Sequence, residues 1–93
     1  MARIAVTDGL SPEAKSVLQK QGHEVVVKYY ETSELESGVL NEFDAVIVRS
    51  ATKLTSKVIG VSTNLTVIAR AGVGVDNIDL QAAGEAGITV VNA

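Results

Sequence analysis

Ala45-Val46-Ile47-Val48-Arg49-Ser50-Ala51-Thr52 opens on four apolar residues, three of them β-branched, and breaks into a cationic turn of small and hydroxyl-bearing residues. A run this short and continuous has the composition of a strand buried on both faces, as in a parallel sheet, and not of the alternating kind that leaves one face in water. The same signature recurs outward in both directions at intervals of about twenty residues. Arg3-Ile4-Ala5-Val6-Thr7 and Glu24-Val25-Val26-Val27 precede it, and Thr66-Val67-Ile68-Ala69 and Ile88-Thr89-Val90-Val91 follow it.

Helical punctuation fills the gaps between these runs. Ser11-Pro12-Glu13 reads as N-cap, first-turn proline and first-turn acid, with Val17 and Leu18 facing inward and Gly22 as the stop. Thr32 or Ser33 caps a second helix whose apolar stripe is Leu35, Val39 and Leu40 and which Gly38 weakens. Thr55 or Ser56 opens a short third helix carrying Val58 and Ile59, and Asp76 or Asn77 caps a fourth, with Leu80 and Ala83 inward and Gly87 ending it. The order is βαβαβαβαβ. Right-handed crossovers then distribute helices to both faces of a parallel sheet, a three-layer α/β sandwich. Five strands suit the flavodoxin-like order 2-1-3-4-5, in which ligands bind outside the carboxyl ends of the strands. Functional residues are therefore expected in the segments 8–11, 29–32, 49–54 and 70–77, or past Ala93.

Composition removes several classes of function. Ninety-three residues with 46% apolar content allow one core and no second domain. Eight basic against eleven acidic residues give a net charge of −3, and three aromatic side chains without Trp offer no stacking platform, so nucleic acid is not an expected partner. No apolar run approaches the roughly 20 residues that span a bilayer, so no membrane is expected either. The absence of Cys and the single His remove thiolate chemistry, disulfides and multi-histidine metal sites, and fit a reducing, cytoplasmic setting.

Of three Arg residues, Arg49 and Arg70 directly follow the cores of strands three and four, which are neighbours in the expected order. Both guanidinium groups then emerge at one sheet edge, beside Ser50-Ala51-Thr52 and Ala71-Gly72-Val73-Gly74, whose small residues let a ligand approach backbone N–H groups. Such a site suits a carboxylate or phosphate; the alternative is that each Arg pairs with a nearby surface acid. Gly72-Val73-Gly74-Val75-Asp76-Asn77 follows a strand and precedes a helix, but Asn77 stands at the third glycine position and the motif sits in the fourth βα unit, so it is a poor dinucleotide fingerprint. Asp8-Gly9 reads as a turn pair, His23 as a surface turn residue at the wrong sheet edge, and Ser50 and Thr52 as caps of the third helix. Glu31, Glu34, Glu36 and Glu42 read as a solvated acidic face. Of Tyr29 and Tyr30, one is expected to pack and the other to border solvent.

Val48-Arg49-Ser50-Ala51-Thr52-Lys53 and Ala69-Arg70-Ala71-Gly72-Val73-Gly74-Val75-Asp76-Asn77-Ile78-Asp79-Leu80 resemble the substrate-domain loops of the NAD-dependent D-2-hydroxyacid dehydrogenases, and the similarity runs over nearly the whole chain. The Arg49-Ser50 pair narrows it to the phosphoglycerate branch. The resemblance implies that residues 1–93 are the amino-terminal part of a flavodoxin-like substrate-binding domain, incomplete at its carboxyl end. A separate nucleotide-binding domain, absent here, would bear the catalytic His, its acidic partner, the catalytic Arg and most of the NAD site. It implies that Arg49, Ser50 and Arg70 serve the substrate and its phosphate, that the backbone of Gly72, Val73 and Gly74 holds the substrate carboxylate, and that Val73 touches the cofactor. The reaction implied is oxidation of 3-phospho-D-glycerate in L-serine synthesis, by a homo-oligomeric parent enzyme, with the isolated chain inactive. The alternatives are the substrate domain of a glycerate- or lactate-type relative, or a non-enzymatic flavodoxin-like binding module. Neither a receiver domain, which needs a phospho-accepting Asp ending strand three where Arg49-Ser50 stands, nor a flavin carrier, which needs a phosphate loop after strand one, matches this sequence.

Overall fold

A computed structural model describes residues 2–71 and 77–92. The elements are β1 (Arg3–Val6), α1 (Pro12–Lys20), β2 (Glu24–Val27), α2 (Thr32–Glu36), a 3-10 turn (Val39–Glu42), β3 (Ala45–Val48), α3 (Ser56–Val61), β4 (Val67–Arg70), α4 (Leu80–Glu85) and β5 (Thr89–Asn92). The strands form one parallel sheet in the order β2-β1-β3-β4-β5. The two later strands begin one residue after their sequence-based starts, so Arg70 closes β4 rather than following it.

With right-handed crossovers this order sends α1 to one face and α2, α3 and α4 to the other, and α3 packs against both α2 and α4. The two faces are unequal. Ala5, Val46, Val48 and Ile68 are fully buried beneath Leu35, Leu40, Leu54, Val58, Ile59 and Ala83, forming the dry core. On the α1 side Ile4 and Val6 are buried, but Ile47, Val67 and Ala69 are only half-buried and Val91 is exposed. The continuous apolar runs thus predict burial on both faces, and the structure delivers it fully only in β1. One helix is too narrow to cover five strands.

Local chemistry explains most helix starts. Ser11 Oγ accepts from the Ala14 N–H at 3.2 Å and Pro12 occupies the first turn, while Gly22 leaves the helix at φ 88°, a backbone region that suits a residue without Cβ. Thr55 caps α3 through the Val58 N–H. Two caps differ from expectation. Glu31, not Thr32 or Ser33, precedes α2, and Glu34 Oε1 reaches back to its N–H at 3.1 Å. Asp79, not Asp76 or Asn77, caps α4 by accepting from the Ala82 N–H at 3.0 Å. That later start leaves Leu80 as the first helical residue, half in water, and turns Ala82 and Ala83 toward the sheet. Val17 is likewise exposed rather than inward. Successive helical residues point about 100° apart, so only Leu18 of that pair is half-buried.

Candidate functional site

The register of β3 and β4 sets Val48 beside Arg70, and the Ala71 N–H donates to Val48 O at 2.9 Å. Arg49 and Arg70 therefore leave the sheet at the same carboxyl edge, as the spacing predicts. Arg49 and Ser50 are exposed and Arg70 is half-buried. The Arg49 guanidinium makes no hydrogen bond or ion pair among the described residues, so it pairs with none of their acids. Gly72, Val73 and Gly74, expected to supply backbone amides and the cofactor contact, lie outside the described residues.

What shapes this edge is a set of side chains that local pattern assigns to lesser roles. Asp8, at the end of β1, is more than half of a turn pair: its Oδ2 accepts from the Arg49 N–H at 2.7 Å and the Thr52 N–H at 3.1 Å, and its Oδ1 accepts from the Thr52 hydroxyl at 2.5 Å. Gly9 beside it does turn the chain, at φ 85°. Thr52 is 2% exposed and bonds to Asp8 instead of capping α3. Asn77 closes the loop from the other side. Its Nδ2 donates to Arg49 O at 2.6 Å and Thr52 O at 2.7 Å, and its Oδ1 accepts from Arg70 Nε at 2.9 Å. A parallel bridge between Leu54 and Ile78 continues this junction, with the Leu54 N–H donating to Asn77 O at 2.8 Å and the Asp79 N–H to Leu54 O at 2.9 Å. Beside the bridge lies an open cavity of about 360 Å³ bordered by Lys53, Thr55, Ser56 and Asp79. A carboxylate ending strand one at the ligand edge was the visible signal; nothing local in the sequence named its partners.

The geometry at Asn77 also tests the dinucleotide motif. The third position of a phosphate-binding fingerprint must be small enough to let strand and helix close, and the following helix must offer free N–H groups. Here that position is an amide engaged with three groups, and α4 starts later, under the carboxylate of Asp79, which repels a pyrophosphate. The described residues do not fit NAD as a dinucleotide cradle.

Elsewhere the residues take structural roles. His23 Nδ1, at the amino edge, accepts from the Ala2 N–H at 3.2 Å. Arg3 pairs with Glu24, whose hydrogen bond raises the guanidinium pKa further above its already high value. Tyr30 is buried and Tyr29 exposed, while Glu31 and Glu42 are exposed and Glu34 and Glu36 half-buried. No group of three potential metal ligands, and no helix long and apolar enough to cross a membrane, occurs among the described residues.

An open parallel α/β sheet with Arg49, Arg70 and the held loop 49–52 at its carboxyl edge defines a domain of the doubly wound type. Residues 4–93 match the D-isomer specific 2-hydroxyacid dehydrogenase, catalytic domain, family, and the chain belongs to that family. It is 48% identical to the D-3-phosphoglycerate dehydrogenase of Methanocaldococcus jannaschii, over all of this chain and 18% of that protein. It is 46% identical to the hydroxypyruvate reductase of Thermotoga maritima, over 97% of this chain and 29% of that one. The NAD+-bound 3-phosphoglycerate dehydrogenase structure from Entamoeba histolytica superposes with a TM-score of 0.82 at 32% identity, covering 98% of this chain and 32% of that one. The chain thus spans less than a third of the length of these relatives.

Proposed function

We propose that this chain is the substrate-holding part of an NAD-dependent dehydrogenase that oxidises 3-phospho-D-glycerate to 3-phosphooxypyruvate, the reaction that opens L-serine synthesis. The observation that carries the reading is the Arg49 guanidinium, exposed and unpaired among the described residues, at the same edge as Arg70. A substrate bearing a carboxylate and a phosphate suits two guanidinium groups, which bind such oxyanions through paired N–H donors. In this role Arg49, Ser50 and Arg70 hold the substrate and its phosphate, and the backbone of Gly72, Val73 and Gly74 holds its carboxylate. NAD, with Val73 as this chain's contact to it, would be bound mainly by a nucleotide-binding domain outside these residues. The hydride from carbon 2 and the proton from its hydroxyl go to groups outside this chain, since His23 lies at the opposite edge. The 93-residue chain alone is therefore expected to bind without turnover. The parent enzyme is cytoplasmic and homo-oligomeric in this reading.

Amide NMR titration of the chain tests it. 3-Phosphoglycerate should shift residues 49–52 and 70–71 with roughly millimolar affinity, about 4 kcal/mol, and NAD reduction should be undetectable. Absence of shifts in both segments, or measurable turnover, overturns the corresponding half of the proposal. The 46% identity to a hydroxypyruvate reductase supports a second reading, a dehydrogenase of non-phosphorylated 2-hydroxy acids. Equal affinity for D-glycerate and 3-phosphoglycerate would favour it.

A further inference from the structure

Asp8, Thr52 and Asn77 are drawn from three distant parts of the chain, and the side chains of Asp8 and Asn77 both bond to the loop that contains Thr52. Resting on the substrate-site reading above, we propose that these three are positioning residues: they form a clasp that fixes the loop 49–52 and orients Arg70, so that the anion meets preset cationic groups.

The bonding pattern carries the inference. Asp8 uses its charge on two backbone N–H groups and a hydroxyl rather than on a cation. Asn77 donates to the carbonyls of the same two residues, Arg49 and Thr52, whose N–H groups Asp8 accepts. Residues 49 and 52 are thus held on both their N–H and C=O sides, which fixes the peptide planes that bracket Ser50 and Ala51. Asn77 Oδ1 takes the Nε of Arg70, fixing the rotation of that guanidinium about its long stem. A long side chain or loop ordered before binding does not lose that freedom on binding, so the clasp raises affinity without touching the ligand. The charge argues for the same role. A carboxylate beside an anion site opposes binding unless it does something else there, and Asp8 is the only acid bonded to this loop among the described residues.

Asp8→Ala and Asp8→Asn separate positioning from charge. Asn can accept the two N–H groups through its oxygen and donate to Thr52 Oγ1 through its amide, so it restores the clasp while removing the charge; Ala removes both. If Asp8 acts only by charge, both variants bind inorganic phosphate and 3-phosphoglycerate more tightly than the parent chain. Positioning gives the opposite split: roughly tenfold weaker binding in Asp8→Ala, about the worth of one charged hydrogen bond, and recovery in Asp8→Asn. Asn77→Asp is the second probe, keeping an acceptor for Arg70 Nε but setting an acceptor against two carbonyls; it should free the loop while the Arg70 Nε–H signal stays ordered. A ligand-free readout keeps the clasp distinguishable from the substrate reading. Amide exchange at Arg49 and Thr52 in the 93-residue chain should quicken in Asp8→Ala and Asn77→Asp and stay slow in Asp8→Asn. Unchanged exchange in Asp8→Ala, or equal effects of Ala and Asn, overturns the clasp, whether or not 3-phosphoglycerate binds. A chain with a slow-exchanging loop that ignores both anions overturns the substrate reading alone. If Asp8→Ala does not fold, the Asp8→Asn and Asn77→Asp comparison decides.

Discussion

The two edges of the sheet are both polar, but they dispose of their charges differently. At the amino edge cation meets anion: Arg3 pairs with Glu24, donates to Glu42 O at 3.0 Å and lies 5.0 Å over the Phe43 ring, while Asp44 accepts the Arg3 N–H at 2.8 Å. At the carboxyl edge the acid meets neutral groups. Asp8 takes two amides and a hydroxyl, and Arg49 is left without a partner among the described residues. The first arrangement cancels its own field and ties β1 to β2 and to the turn before β3. The second converts a carboxylate into loop geometry and leaves positive charge for something else. An edge whose charges are matched is structural, and one that leaves a guanidinium unbonded among its described residues is where a ligand is expected.

The comparison breaks first at two buried threonines. Thr7 and Thr52 are each 2% exposed at this edge, but Thr52 bonds to Asp8 whereas the Thr7 hydroxyl has no partner among the described residues. The isosteric change to Val should therefore have opposite signs. Thr52→Val removes a hydrogen bond to a charged group and sets a methyl against the carboxylate, costing about 1.5–3 kcal/mol. Thr7→Val replaces an unsatisfied buried hydroxyl by an apolar group of the same shape, and should raise stability by about 0.5–1 kcal/mol. Urea unfolding midpoints with unchanged slopes check both. The same sign for the two would mean that hydrogen bonding does not distinguish these sites.

These threonines also mark how far the sequence was readable. The five strands are legible because β-branched runs repeat at an even spacing, and their order follows from crossover handedness. Ser11-Pro12 and Thr55 announce their helices because a cap bonds only three residues ahead. The pairing of Arg49 and Arg70 at one edge is legible for the same topological reason. The clasp is not, since Asp8 lies 41 and 44 residues from its partners and Asn77 lies 28 and 25 from the carbonyls it holds. No local pattern distinguishes such an Asp from a turn residue or such an Asn from a helix cap. The exposure of Leu80 follows from the same kind of ambiguity, because Asp76, Asn77 and Asp79 all have the chemistry of an N-cap and each start rotates the helix differently.

At the amino edge a smaller effect is expected. Arg3 and Glu24 are about half exposed, with side-chain accessibilities of 44% and 52%, so solvent screens the pair. Arg3→Gln should destabilise less than Thr52→Val, and the difference from the parent chain should shrink in about 1 M salt. The pH dependence has a definite sign. A guanidinium whose pKa rises on folding contributes stability that is present below its unfolded value and is lost only as pH climbs through the raised folded value. That window lies far above neutrality. Stability profiles of the parent and Arg3→Gln chains should therefore run parallel between about pH 6 and 9. Convergence in that range would show that the edge draws its charge balance from a group other than Arg3.

Arg49→Ala should have the smallest effect on stability and the clearest effect on binding. Its guanidinium is exposed and makes no bond among the described residues, so truncation should leave the unfolding midpoint within the roughly 0.5 kcal/mol typical of such surface sites. The Arg49 backbone stays held by Asp8 and Asn77, since both clasp through main-chain atoms and neither touches the guanidinium. A side chain that stabilises nothing, on a loop fixed by three others, is arranged for a partner outside the fold. Titration of Arg49→Ala with 3-phosphoglycerate should then lose the shifts at residues 49–52 while loop amide exchange stays slow. A measurable drop in stability would instead place Arg49 with Arg3, as one more cation matched within its own edge, and the contrast between the two ends of the sheet would disappear.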